Sequence, residues 1–447
     1  MTTDDGERKA IEEARSALSV LRADMIFGED GCPGGESEMT AMQAGRAPSY
    51  TSYAVVRKRW KVDRNLAGYL CLDDFEETAR RRLPRMLYGF ISGGAETNAS
   101  VRSNTHSFKD YCFVPRVLTD VSKRSHRTTL FGRSYAAPFG IAPTGVASIC
   151  AYRSDLVTAR CAAAAEIPAI LSATSLIRME DVRSVGPTTW YQAYIPGDPE
   201  RIESLIERVA AAGFDTFVVT VDVPVPANRE NNIRNGFSIP INPSTQLIWE
   251  SLTHPSWLIG TLIRTFVQHG IPHIENMDAT RGPPILARQI ERTFANRDEL
   301  SWEHVKLIRK RWRGPLVIKG LLSAADAFTA KDCGVDGIIV SNHGGRQLDS
   351  SIAPLRAMPP ILDAVGRSMV IMLDGGIRRG TDILKALALG ADFVFLGRPF
   401  LFAAVAAGER GVRHAIELLS AEISRDMALL GISDLAEIDP ALIAKSR

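Results

Sequence analysis

Cysteine is scarce and dispersed. Cys32, Cys71, Cys112, Cys150, Cys161 and Cys333 are spread over 447 residues, with no C-x-x-C pair. This argues against a disulfide framework and, with no Cys/His cluster beside them, against any metal centre of the zinc type. A reduced, cytoplasmic setting fits. Net charge is also nearly absent: 53 basic residues face 51 acidic ones, leaving +2. No global field argues for nucleic acid as a partner. No uncharged apolar run reaches the ~18 residues that a spanning helix needs. Met1 to Gly6 is polar and acidic, without the apolar core of a secretion signal. Residues 1–70 hold no histidine, which excludes a bis-histidine haem domain there. What remains is ordinary: 45% hydrophobic and 23% charged residues can bury a large soluble core.

Residues 1–70 read as an extension, partly helical or disordered. Ile11, Ala14, Leu18 and Leu21 recur at helical spacing, and Gly28 to Tyr53 reads as a loop. From about Asp73 the pattern becomes regular. Eight short apolar runs recur: 139–144, 169–172, 189–194, 217–222, 316–319, 337–342, 370–374 and 393–397. Helical segments separate them, such as 156–165, 201–212, 302–311, 324–333 and 383–389. Continuous apolar strands alternating with helices predict buried parallel β, and eight repeats predict a closed barrel. The fold class is therefore α/β: a (β/α)8 TIM barrel over 71–447, with an N-terminal extension and a long insertion after strand four. Within that insertion, 238–300 reads as a lid or a contact surface. Trp249, Leu252, Trp257, Leu258, Ile259, Leu262, Ile263, Phe266 and Val267 lie there among His254, Arg264 and His269. Such a face suits peripheral contact with a membrane; packing over the barrel mouth or against another subunit is the alternative.

Each run ends in chemically capable residues: Thr144-Gly145, Ser172, Gln192 and Tyr194, Thr220 and Asp222, Lys319, Ser341 to His343, Asp374, and Gly397-Arg398. Barrels of this kind place their sites at these strand exits. Gly376 and Arg378 after strand seven, with Gly397 and Arg398 after strand eight, form a cradle for a phosphorylated ligand. Lys319 is either a Schiff-base nucleophile or a fixed cation beside a flavin ring; Ser172, Gln192 and Thr220 favour the flavin. His343 can take a proton near neutral pH, with Asp222 to orient it and Arg346 and Arg229 to grip a carboxylate.

These residues resemble the FMN-dependent 2-hydroxy acid oxidases and dehydrogenases, the family of glycolate oxidase and of lactate and mandelate dehydrogenases. Ser341-Asn342-His343-Gly344-Gly345-Arg346-Gln347-Leu348-Asp349 is similar to its active-site signature, and Leu83-Pro84-Arg85-Met86, Ala142-Pro143-Thr144-Gly145 and Leu373 to Gly380 match it too. The resemblance implies FMN as cofactor and oxidation of an L-2-hydroxy acid to the 2-keto acid. It implies His343 as base, Asp222 as its partner, Arg346 and Arg229 on the carboxylate and Tyr194 at the substrate hydroxyl. Lys319, Ser172, Gln192, Thr220, Thr144 and Gly145 would meet the ring, Ser341 and Asp374 the ribityl chain, and Gly376, Arg378, Gly397 and Arg398 the phosphate. It also implies a homotetramer, and a quinone-like acceptor or oxygen.

There are departures from the family pattern. Phe90 stands where many members carry a tyrosine, and Thr174 where glycolate oxidases carry a pocket tryptophan. Both favour a larger apolar or aromatic substrate side chain. Gly145 replaces the alanine common in oxidases. The insertion, with His254-Pro255-Ser256-Trp257, is most similar to that of membrane-associated mandelate and lactate dehydrogenases, which places the chain at the inner face of a membrane. Three alternatives stay open: action on a hydroxy or amino acid unit of a larger biosynthetic intermediate, an oxygen-using oxidase, and a non-catalytic FMN-binding docking protein. Removal of the proton from C2 and removal from the hydroxyl stay open as well.

Overall fold

A computed structural model describes residues 66–238, 245–287 and 297–446. The readings for Ile11 to Leu21 and Gly28 to Tyr53 lie outside the described residues.

The apolar runs form eight parallel strands: β1 (Phe139–Ile141), β2 (Ala169–Ser172), β3 (Thr189–Ala193), β4 (Phe217–Thr220), β5 (Leu316–Leu321), β6 (Gly337–Val340), β7 (Val370–Asp374) and β8 (Phe393–Leu396). They pair in chain order and close into a barrel, β8 meeting β1 through Phe395 opposite Gly140. Strand side chains alternate, so each strand splits its apolar residues between two cores. Ile170, Trp190, Val218, Val317, Ile339, Met372 and Phe395 pack inside the barrel. Leu171, Tyr191, Val219, Ile318, Val340, Leu373 and Leu396 face outward and meet the surrounding helices. A hairpin of Thr128–Leu130 and Arg133–Tyr135 adds Leu130 and Tyr135 to the inner core.

The linking helices follow the predicted periodicity, with ends fixed by local chemistry. The helix predicted from Arg201 begins at Pro199, because the Asp198 carboxylate accepts from the Glu200 N–H and proline presets the first turn. Among the described residues, three α-helices precede the barrel: α1 (Leu72–Arg82), α2 (Arg85–Ser92) and α3 (Ala99–His106). The insertion carries helices Thr245–Thr253 and Arg264–His269, with wider π-type turns at Leu258–Ile263 between them.

Candidate active site

The polar strand-exit residues share one positional rule. Thr144, Ser172, Gln192, Thr220, Lys319, Ser341, Asp374 and Gly397 each follow, by two positions, a residue of the inner core: Ala142, Ile170, Trp190, Val218, Val317, Ile339, Met372 and Phe395. Two residues is the repeat of a strand face, so a polar layer lies directly above the apolar plug. Above it opens a cleft at the strand exits. Phe90, Thr144, Gly145, Tyr194, Thr220, Lys319, His343, Arg346, Asp374, Gly376, Arg378, Gly397 and Arg398 line it. Of the remaining residues read from the sequence, Asp222 and Ser341 sit behind that lining, bonded to His343 and Lys319. Ser172, Thr174, Gln192 and Arg229 are not part of the lining either.

His343 leaves β6 with φ +58°, a left-handed conformation costly for a residue with a Cβ. Several bonds hold it there. Its N–H donates to Ser341 Oγ at 3.0 Å, and its Nδ1 lies 2.9 Å from Asp222 Oδ1. Gly344 and Gly345 continue the left-handed turn at +64° and +75°; a Cβ on Gly345 would come within 2.6 Å of the Val101 nitrogen in α3. The imidazole thus presents Nε2 to the cleft, 3.4 Å from the Tyr194 hydroxyl. Burial lowers His343 below its ordinary pKa against the pull of Asp222, and Lys319 and Arg229 add to the lowering. Burial alone would raise Asp222, but the imidazole and Lys319 keep it below the usual carboxylate value. At neutral pH the pair is a neutral imidazole against an ionised carboxylate, which is the state a general base needs.

Cations crowd the same wall. Arg346 Nη1 donates to the carbonyls of Phe90, Ile91 and Gly93 at 2.6, 3.2 and 2.9 Å. Its guanidinium lies 4.9 Å from the centre of the Phe90 ring, which stacks on Phe237 at 4.2 Å. Among the described residues its Nε and Nη2 meet no acceptor. Arg229 donates to the Arg346 carbonyl at 3.1 Å and to Gln347 Oε1 at 2.7 Å. Burial, then Arg229 and Arg398, hold Arg346 well below its usual pKa. Like charges drawn together and partly removed from water call for an anionic ligand.

Lys319 joins three strands. Its ammonium donates to Ser341 Oγ at 3.0 Å and pairs with Asp374 Oδ2 at 2.8 Å. Burial lowers its pKa, but Asp374 and Asp222 outweigh burial and keep it raised, so it stays a cation. A fixed cation here fits the flavin reading rather than an amine nucleophile, which must lose its proton. Nearby, Gln192 is fully buried with both amide atoms unpartnered, and Asp374 Oδ1 is unpartnered too. A buried amide without partners costs ~1–3 kcal/mol unless a ligand meets it. Gly376, at φ +86°, packs so closely on α3 that a Cβ would lie 2.3 Å from the Asn104 carbonyl oxygen. The residues fit FMN: orphaned amide and carboxylate atoms for ring and ribityl chain, and a glycine loop with Arg378 for the phosphate. Arg398 donates to the carbonyls of Ile91, Gly344 and Gly93, so it also ties α2 to the His343 turn. Gly145 has a local reason: a Cβ there would lie 2.3 Å from Thr174 Oγ1. The Thr174 hydroxyl takes the space of an alanine methyl rather than only widening the pocket.

Sequence reasoning missed several supports. Asp349 accepts from the Thr97 N–H and hydroxyl and the Ser100 N–H, fastening the loop after β6 to α3. Asn104 and Asn342 exchange amide hydrogen bonds of 2.7 Å. Arg297, at the end of the insertion, is buried with its guanidinium 4.5 Å from the Tyr194 ring centre. None of these pairs is near in sequence, and none has a period.

An α/β barrel with a His–Asp pair and a cluster of arginines at its strand exits defines a class. Residues 79–445 match the family model described as FMN-dependent dehydrogenase. The chain belongs to this family of FMN-dependent 2-hydroxy acid dehydrogenases, whose cofactor is FMN. It is 39% identical over 378 residues to the L-lactate dehydrogenase of Caulobacter vibrioides, covering 83% of this chain and 97% of that protein. The L-lactate dehydrogenase of Pseudomonas aeruginosa is 40% identical over 371 residues, 82% of this chain and 95% of that one. Among solved structures, the monotopic membrane protein (S)-mandelate dehydrogenase superposes with a TM-score of 0.79 at 34% identity, over 85% of this chain and 100% of that chain.

Proposed function

We propose that this enzyme oxidises an L-2-hydroxy acid of the mandelate or lactate type to its 2-keto acid, with a preference for a larger apolar or aromatic side chain. The carrying observation is His343, held by Asp222 at 2.9 Å and facing a cleft lined by the partly buried Arg346 and Arg398. Arg346 grips the substrate carboxylate through Nε and Nη2, and Arg229 braces it from behind. Tyr194 aligns the substrate hydroxyl beside Nε2. His343 takes the substrate proton at Nε2, and the Asp222 carboxylate stabilises the imidazolium that results. Bound FMN supplies the two-electron acceptor. Lys319, kept charged by Asp374, sets a positive potential at the ring end of the cleft. Stacked Phe90 and Phe237 form the apolar side against which an aromatic substrate packs.

Peripheral membrane contact is part of this reading. Ile248, Leu252, Ile259, Ile263 and Val267 recur at helical spacing along the insertion and are exposed, with Trp249 beside them. Among the described residues no helix is long and apolar enough to cross a membrane. An exposed stripe of this kind supports lying on a membrane. The test of the chemistry is His343→Gln. The variant keeps FMN absorbance and loses anaerobic bleaching by substrate. Bleaching at the normal rate would refute the assignment.

A further inference from the structure

We infer that Arg297, at the end of the insertion, is a positioning residue for the oxidation: its guanidinium holds the Tyr194 ring and so fixes where the Tyr194 hydroxyl meets the substrate. This rests on the role given to Tyr194 in the function proposed above.

Tyr194 needs such a support. It lies one residue past the end of β3, beyond the last ladder pair of Ala193 with Val219. The torsion that turns a tyrosine ring is broad, so the ring does not orient itself. Its hydroxyl does little to pin it. Among the described residues that hydroxyl meets His343 Nε2 alone, at 3.4 Å, longer than a well-formed hydrogen bond of about 3 Å. The ring must therefore be held through its faces. The His343 ring lies near-parallel to it, but with centroids 6.4 Å apart. The Arg297 guanidinium is closer, 4.5 Å from the ring centre.

Arg297 is suited to this task. It is 6% exposed, and a cation taken out of water needs partners; the electron-rich face of a phenol ring is one. Met277 flanks it, with Sδ 4.0 Å from Nη2. The chain around Arg297 is fastened to the same strand exit. The Arg297 carbonyl accepts from the Leu300 N–H at 3.2 Å, just before the helix Trp302–Arg311. In that helix His304 Nδ1 accepts from the Ser301 N–H, and its Nε2 donates to the Gly197 carbonyl, both at 3.2 Å. On the outer side of β3 the Tyr191 hydroxyl donates to the Asn276 carbonyl at 2.5 Å. The insertion and the helix that follows it thus grip the β3 exit at Tyr191, Tyr194 and Gly197. Burial, then Asp222, push the Tyr194 hydroxyl above its usual pKa, while Arg297, Lys319 and Arg229 pull it back. The phenol keeps its proton and donates it to a substrate oxygen, with Arg297 setting the direction.

The test compares Arg297→Met and Arg297→Lys in the full-length, FMN-loaded enzyme. Anaerobic flavin reduction at saturating substrate slows by about tenfold in Arg297→Met, with KM within about twofold, because a misplaced donor costs rate rather than affinity. Arg297→Lys keeps a cation for the ring and returns to within about threefold of the parent. Tyr194→Phe separates positioning from folding. It keeps the ring and removes the hydroxyl, so adding Arg297→Met to it costs less than about twofold more. Without turnover, fluorotyrosine labelling gives a fluorine resonance for Tyr194, assigned by its loss in Tyr194→Phe. That resonance shifts in Arg297→Met and moves back in Arg297→Lys. Arg297→Gln replaces Arg297→Met if the latter does not retain FMN. Equal losses in the two backgrounds, or an unmoved Tyr194 resonance, overturn the inference. If no 2-hydroxy acid bleaches the flavin, the proposed function fails, and the resonance still reports whether Arg297 holds the ring.

Discussion

Asp222→Asn removes one charge from the base pair and keeps its shape. Asp222 and His343 are 13% and 18% exposed at their side chains, so solvent screens the pair weakly. Between charge centres about 4 Å apart, at an effective dielectric near 20, the attraction on the imidazolium is ~4 kcal/mol. The amide keeps a neutral hydrogen bond of ~1 kcal/mol. The transition state then loses ~3 kcal/mol, and at 1.36 kcal/mol per decade the reduction rate falls roughly 10²-fold. An amide turned with its N–H toward Nδ1 would fix the wrong tautomer and deepen the loss. The assay is anaerobic stopped-flow bleaching of the flavin, with 2-deuterated substrate alongside. The isotope effect should stay full or rise, since the slowed step involves the proton. The acid limb of the pH profile should also move to lower pH, because Asp222 opposes the lowering of the His343 pKa. A loss below about threefold in an FMN-replete variant would refute the reasoning, since it would leave the Asp222 charge worth less than ~0.7 kcal/mol.

Other outcomes follow from the same geometry. His343 is held below its ordinary 6.5, so kcat/KM is level above that pH and falls as pH drops through the lowered value. In that acid window the unfolded chain takes up a proton that the folded chain refuses, so stability declines in the same direction in urea titrations. Arg346→Lys loses the fork geometry and lowers kcat/KM by about ten- to a hundredfold, the worth of a charged hydrogen bond of ~1.5–3 kcal/mol, mostly through KM. An unchanged KM would place the carboxylate elsewhere. Gly145→Ala meets Thr174 Oγ1 and costs ~1–3 kcal/mol in urea unfolding, most of it recovered by Thr174→Ala in the same chain. Simple additivity would contradict this. Ile259→Asp with Val267→Asp lowers co-flotation with anionic vesicles while leaving flavin bleaching intact; undiminished flotation would count against the membrane face.

Legibility from sequence followed periodicity. All eight strands were readable because parallel strands buried on both faces give unbroken apolar runs. The site was readable because the strand repeat carries on for two more residues, from Val317 to Lys319 and from Met372 to Asp374. The helix ends were less so, since the Asp198 cap moved one start back to Pro199. Arg297 over Tyr194, Asp349 beneath α3 and the Asn104–Asn342 exchange were not readable. They are single contacts across long sequence separations, and only the closed fold brings them together. The Thr174–Gly145 interlock could be seen as two separate departures but not as one steric pair.

Titration of the purified yellow enzyme, without oxygen, against a panel of 2-hydroxy acids with aromatic, alkyl and unsubstituted side chains checks the proposed oxidation. The flavin band should bleach with the L-enantiomers, fastest for mandelate-like or larger apolar side chains and slowest for glycolate. The matching 2-keto acid should form in one-to-one ratio with reduced flavin. A flavin that stays oxidised with every member of the panel would overturn the proposed function.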